Sequence, residues 1–241
     1  MKPRSRRSFL KASAVFGCGL GAGGLSSPSI AGAVGGVVNE GLNIIGPRKG
    51  FSPQIGTLIS MLTWMRDTIL QPVQGLTVTQ LDYLHDPKAN SIGALLLHLA
   101  AIERLYQIHT FEGRKWDDWD EMTVKEWGVP AGLGDAARRT IRGHDLSYYL
   151  DRLREGREHT LAELRKRDDT WLMQIDKHWL WGPTNNYCKW FHVCEHESNH
   201  NGQIKWIKGR LPDASKSHTS YLEATPKIRV TPKPDEEGIP H

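Results

Sequence analysis

Trp190-Phe191-His192-Val193-Cys194-Glu195-His196-Glu197-Ser198-Asn199-His200-Asn201-Gly202-Gln203-Ile204 places three histidines at intervals of four residues. Four residues is close to one helical turn. At about 100° per residue, His196 and His200 fall about 40° and 80° from His192, and Gln203 falls about 20° from it. All four side chains leave one face of a helix, which the pattern extends from about Asn186 to Lys208. Gly209 and Pro212 stop it. Two imidazoles one turn apart converge on one point, the arrangement that binds a transition metal through a helix. The alternative is a solvated polar face, because burying several imidazoles without a metal or hydrogen bonds costs several kcal/mol, roughly 2–7 for each unpaired group.

Working outward, three more long segments carry the same period. Ile55, Leu58, Ile59, Leu62, Met65 and Ile69 form one stripe of a helix over about Ser52–Val73, ended by Pro72 and Gly75. Asn90 or Ser91 caps a second helix reaching Phe111, with Leu95, His98, Ile102, Leu105 and His109 in line. Leu150, Leu153, Leu161 and Leu164 mark a third over Ser147–Arg167. A short helical turn is expected at Thr79–Leu84. The tryptophan-bearing stretches 112–134 and 171–186 read as irregular connections, and no period-2 strand or phosphate-loop pattern stands out. The fold expected is all-α, a four-helix bundle in one domain.

A zinc- or nickel-like divalent ion needs at least a third protein ligand, and His98 is the candidate, mid-helix on a stripe that faces the bundle interior. Alone, such a histidine is ordinarily a hydrogen-bonded core residue. His192, one turn before His196, reads as a fourth ligand, a proton relay or a hydrogen-bond partner of a ligand. Glu197 lies about 60° beyond His200. It reads as a base on metal-bound water, a group orienting a ligand, or a solvated glutamate. Gln203 lies within the histidine sector, placed to bind substrate or to fix a histidine tautomer.

Ser91-Ile92-Gly93-Ala94-Leu95-Leu96-Leu97-His98-Leu99-Ala100-Ala101-Ile102-Glu103-Arg104 resembles the second helix of DinB-like proteins, and His196-Glu197-x-x-His200-x-Gly202-Gln203-Ile204 resembles their fourth-helix signature. The resemblance spans roughly residues 51–212. It implies a four-helix bundle with a three-histidine metal centre whose ligands are His98, His196 and His200. Where the family often has arginine before the glycine, this chain has Asn201. The wider superfamily includes transferases and isomerases that use low-molecular-weight thiols.

Charge concerns address rather than partners. The chain has 31 Lys and Arg against 27 Asp and Glu. Lys2, Arg4, Arg6, Arg7 and Lys11 lie in an acid-free leader, residues 1–33, so the remainder holds 26 against 27, a net −1. Ser5-Arg6-Arg7-Ser8-Phe9-Leu10-Lys11 resembles a twin-arginine export signal. It precedes a weakly apolar stretch, Ala12–Leu25, too short to span a membrane, and a small-residue cleavage site at Ala31-Gly32-Ala33. A lipoprotein reading through Cys18 fits less well, with Phe16 before it. The expected organisation is a signal peptide at 1–33, a glycine-rich linker at 34–50, the bundle at 51–212 and an extended tail at 213–241. The twin-arginine export machinery is then a partner, and the destination is the periplasm or cell exterior.

A near-neutral mature chain makes no electrostatic case for nucleic acid. Cys188 and Cys194 are about 9 Å apart along a helix, on different faces, which disfavours a disulfide. Two functional classes remain: a metal-dependent enzyme of the thiol-transferase or hydrolase type acting on a small molecule, and a non-catalytic metal-binding or interaction protein of the cell envelope. A homodimer is left open.

Overall fold

The computed structural model describes residues 41–212. The expected signal peptide, the first part of the linker, the 213–241 tail and Cys18 lie outside the described residues. Four long helices make the bundle: α1 (Pro53–Val73), α3 (Ile92–Phe111), α6 (Leu146–Arg165) and α8 (Asn186–Lys208). Between them run α2 (Val78–Leu81), α4 (Glu121–Gly132), α5 (Gly134–Thr140) and α7 (Asp169–Met173). Helix α8 packs on α1 and α3, and α3 packs on α6.

The helix starts follow from their caps. Ser91, Asp145 and Asn185 each accept a hydrogen bond from the backbone N–H three residues on, which satisfies a donor the helix itself leaves open. Helix α1 is capped from a distance: Asp169 Oδ1 accepts from the backbone N–H groups of Gln54 and Ile55 at 3.0 and 3.2 Å. Helix α3 is buried round most of its circumference, as a helix between several neighbours must be. Every polar side chain on it therefore needs a partner.

One apolar cluster fills each end of the bundle. Ile55, Leu58, Leu62, Leu164 and Trp190 belong to the first. Ile69, Leu95, Leu96, Tyr149 and Ile204 belong to the second. At the level between them each long helix contributes one charge: Arg66, Glu103, Arg157 and Glu197, all buried. Arg66 bonds both carboxylates, and so does Arg157. The arginines also cross-bond the backbone, Arg66 Nη1 to Leu153 O and Arg157 Nη1 to Leu62 O, both at 2.8 Å. Burial works against ionised Glu103, but Arg157 and Arg66 outweigh it and hold its carboxyl down at about 2.

Two expectations change. Residues 112–134 are not wholly irregular: Asp120 accepts from Thr123 N–H and starts α4, while Leu133, at φ 51°, ends it and α5 follows. Only Thr123 and Pro130 of α4 are buried, so it has no apolar stripe to read, and Gly128, Pro130 and Gly132 argue locally against a helix. The 171–186 connection carries α7 and a two-residue antiparallel ladder, Ile175 opposite Asn185 and Asp176 opposite Thr184. That ladder is too short for a period to show. Cys188 is exposed, Cys194 is buried, and both are free. Among the described residues no helix is long and apolar enough to cross a membrane.

Candidate metal centre

Helix α3 carries His98 inward among Leu95, Leu99 and Ala101, and α8 carries His196 and His200 one turn apart on the facing side. Their side chains meet. His98 Nε2 and His200 Nε2 each stand 3.2 Å from His196 Nε2, and one nitrogen from each ring lies within 4.8 Å of the others. Two nitrogens bound to one tetrahedral metal at about 2.0–2.1 Å stand roughly 3.3–3.4 Å apart, which the two separations from His196 match.

The rest of each ring decides what the converging nitrogens are. His98 Nδ1 donates to the Pro130 carbonyl at 2.9 Å, and His200 Nδ1 donates to Gln203 Oε1 at 3.1 Å. A neutral imidazole has one proton, and in both rings it is committed on the far side, leaving Nε2 a lone pair. Burial, together with the neighbouring histidine, presses His98 down to about 4 against the pull of the Pro130 carbonyl. Burial and the other histidines press His196 to about 3. His200 is lowered as well, by burial. At neutral pH three uncharged rings thus aim at one point. His196 has at most one proton to offer two facing lone pairs, so protein atoms alone leave the cluster unsatisfied, whereas a cation satisfies all three.

The other candidates fall in different places. His192 is outside the trio: its Nδ1 bonds the Tyr106 hydroxyl at 2.8 Å, and Trp181 lies across it with ring centroids 4.9 Å apart. Gln203 holds the tautomer of His200. Glu197 turns away from the histidines into the buried charge layer, 2% exposed and bonded by Arg66 and Arg157. Its place is dictated by two guanidiniums on α1 and α6, which the sequence of α8 cannot reveal. Asn201, the departure from the family pattern, is buried against Thr68 on α1. A cavity of about 420 Å³ lies beside Gln203, with Leu95, Asn199 and Trp206 also in its walls and none of the three histidines among them.

Pro130 and Tyr106 were not among the residues read from sequence. Pro130 lies in the last turn of α4, where a carbonyl has no intrahelical partner and is free to accept from a side chain. A late helical carbonyl is a recognisable acceptor only once α4 itself is recognised.

Among known proteins, the family model described as mycothiol-S-transferase matches residues 57–212, more than half of the chain and all of the four long helices but the first turn of α1. A solved structure described as the conserved protein of locus from Enterococcus faecalis is 16% identical with a TM-score of 0.46, covering 63% of this chain and 93% of that one. No curated protein matches the chain.

Proposed function

The chain belongs to the mycothiol-S-transferase family, and from that premise we propose that it is an exported, metal-dependent enzyme transferring a group to the sulfur of a low-molecular-weight thiol. His98, His196 and His200 hold one divalent transition metal, zinc or nickel. The observation that carries this reading is the convergence of three neutral Nε2 atoms with the Nδ1 protons of His98 and His200 committed elsewhere. A divalent metal, when bound, supplies the positive charge that favours a thiolate over a thiol at its remaining position.

The protein's own residues do the rest. Pro130 and Gln203 fix the rings of His98 and His200, so no imidazole has to turn when a ligand arrives. Tyr106 and Trp181 hold His192 back from the trio, which leaves a position for an outside ligand. This supports chemistry over storage, since a storage site gains from closing its shell. The 420 Å³ cavity beside Gln203 has room for a small molecule. The reaction is a displacement: the thiol sulfur bonds to an electrophilic carbon, the leaving group departs with its electron pair, and the thiol proton passes to solvent. The hydrolytic variant with Glu197 as base loses support, because that carboxylate is held by two arginines.

Export rests on Ser5-Arg6-Arg7-Ser8-Phe9-Leu10-Lys11. Protein made without residues 1–33 is expected to hold about one metal per chain and to consume mycothiol with a bimane electrophile. His98→Ala, His196→Ala and His200→Ala are expected to lose both properties. A wild type that cannot be loaded with metal, or thiol consumption untouched by these changes, would sink the reading.

A further inference from the structure

A second polar cluster lies farther along the bundle. His109 is eleven residues after His98 on α3, about 16 Å along the axis. Lys189 reaches it from the first turns of α8, and Asp176 from the short ladder. Lys189 is 2% exposed. Its ammonium donates to His109 Nε2 and to Asp176 Oδ2, both at 2.8 Å, and stands 4.6 Å from the centre of the Trp179 ring. His109 Nδ1 donates to the Arg114 carbonyl at 2.7 Å, so His109 Nε2 carries the lone pair that Lys189 uses. Lys189 has three N–H bonds and these partners take two.

The cluster opens on a cavity of about 740 Å³, within the range of small-molecule sites. Lys189, Arg114 and Lys115 stand in its walls against one carboxylate, Asp176, and Trp116, Trp171 and Trp179 supply broad apolar surface. Asp176 and Lys189 cancel, and Arg114 is met by Asp120 at 2.9 Å, outside the cavity. With those two pairs set aside, Lys115 is the excess charge in the walls, so the balance favours an anion. A clip holding the ladder to α8 would need only Lys189 and Asp176. It would not need the cavity, the tryptophan walls or the added cations.

From this we infer that the cavity between the end of α3 and the start of α8 binds a small aromatic carboxylate, its acid group on Lys189 and the Arg114–Lys115 rim and its ring against the tryptophans. This site is separate from the histidine centre and does not require metal there.

Calorimetric titration with indole-3-acetate and with its uncharged amide, indole-3-acetamide, tests it on the protein made without residues 1–33. The acid is expected to bind saturably and at least tenfold more tightly than the amide. Lys189→Gln is expected to remove that preference. Arg114→Ala with Lys115→Ala, on the rim, is expected to reduce it severalfold. His98→Ala is expected to leave it intact, which separates this site from the metal centre. The inference is overturned if neither compound binds at millimolar concentration. It is also overturned if acid and amide bind equally, if the rim variant binds the acid like the wild type, or if His98→Ala abolishes binding.

Discussion

Glu197→Gln separates two roles for a residue beside two metal-ligand candidates. In the structure Glu197 Oε1 accepts from Arg66 Nε and Nη2 and from Arg157 Nη2. The side chains of all three are no more than 7% exposed. The amide keeps the shape and one acceptor but removes the charge, leaving two buried guanidiniums to share Glu103. Breaking a buried pair by removing one partner costs about 3–5 kcal/mol. The retained acceptor puts this change near the lower end, about 3 kcal/mol, a large part of the roughly 5–15 kcal/mol that holds a domain together. For a domain of this size that is a fall in Tm of about 6–12 °C. Urea melts of metal-free protein measure it without interference from ligand binding. Arg157→Met added to Glu197→Gln is expected to return part of the loss, because the layer is then neutral again. A loss under about 1 kcal/mol, combined with abolished thiol transfer, would refute the reasoning and return Glu197 to the chemistry.

The pH dependence of the metal-free protein has two parts. His98 and His196 are depressed to about 4 and 3 from 6.5. Their contribution is present above pH 6.5 and lost as pH falls through those values. Glu103, depressed from 4.5 to about 2, contributes above pH 4.5 and ceases to as pH falls through 2. Urea midpoints measured from pH 8 to pH 3 should decline in that order, and a flat profile would contradict both. Gly93→Ala should destabilise by about 1–3 kcal/mol, since a Cβ there would lie 2.6 Å from the hydroxyl of buried Tyr149; an unchanged thermal melt would show that Tyr149 can move. Gln203→Leu should weaken metal binding by about 10–100-fold through loss of the partner of His200 Nδ1, read by competition with a chelator.

The bundle was legible because its long helices announce themselves. The stripe from Ile55 to Ile69 and the His192–Gln203 run each carry a 3.6-residue period, and the predicted start and stop of α8 coincide with those observed. The histidine trio was legible for the same reason, since helical spacing alone places His196 and His200 together, the apolar stripe of the second helix puts His98 inward, and the DinB-like resemblance implies the same three residues. What stayed hidden depends on contacts between elements. Glu197 has helical phase near the histidines, yet Arg66 and Arg157 determine where its carboxylate goes. Helix α4 buries two residues and carries glycine and proline, so neither pattern nor propensity marks it. Asp169 caps a helix more than a hundred residues earlier, and no local rule connects Asp169 to Gln54.

The Pro130 carbonyl gives α4 an influence out of proportion to its packing. This largely exposed helix touches a metal-ligand candidate on the side facing away from the metal. Its hydrogen bond sets how much electron density His98 can offer. Changes in the 112–145 region, including ones that never approach the cavity, can therefore tune metal affinity while all three histidines stay the same. Two relatives with identical histidines need not hold the same ion equally well, and the difference would lie in the length and seating of this covering helix.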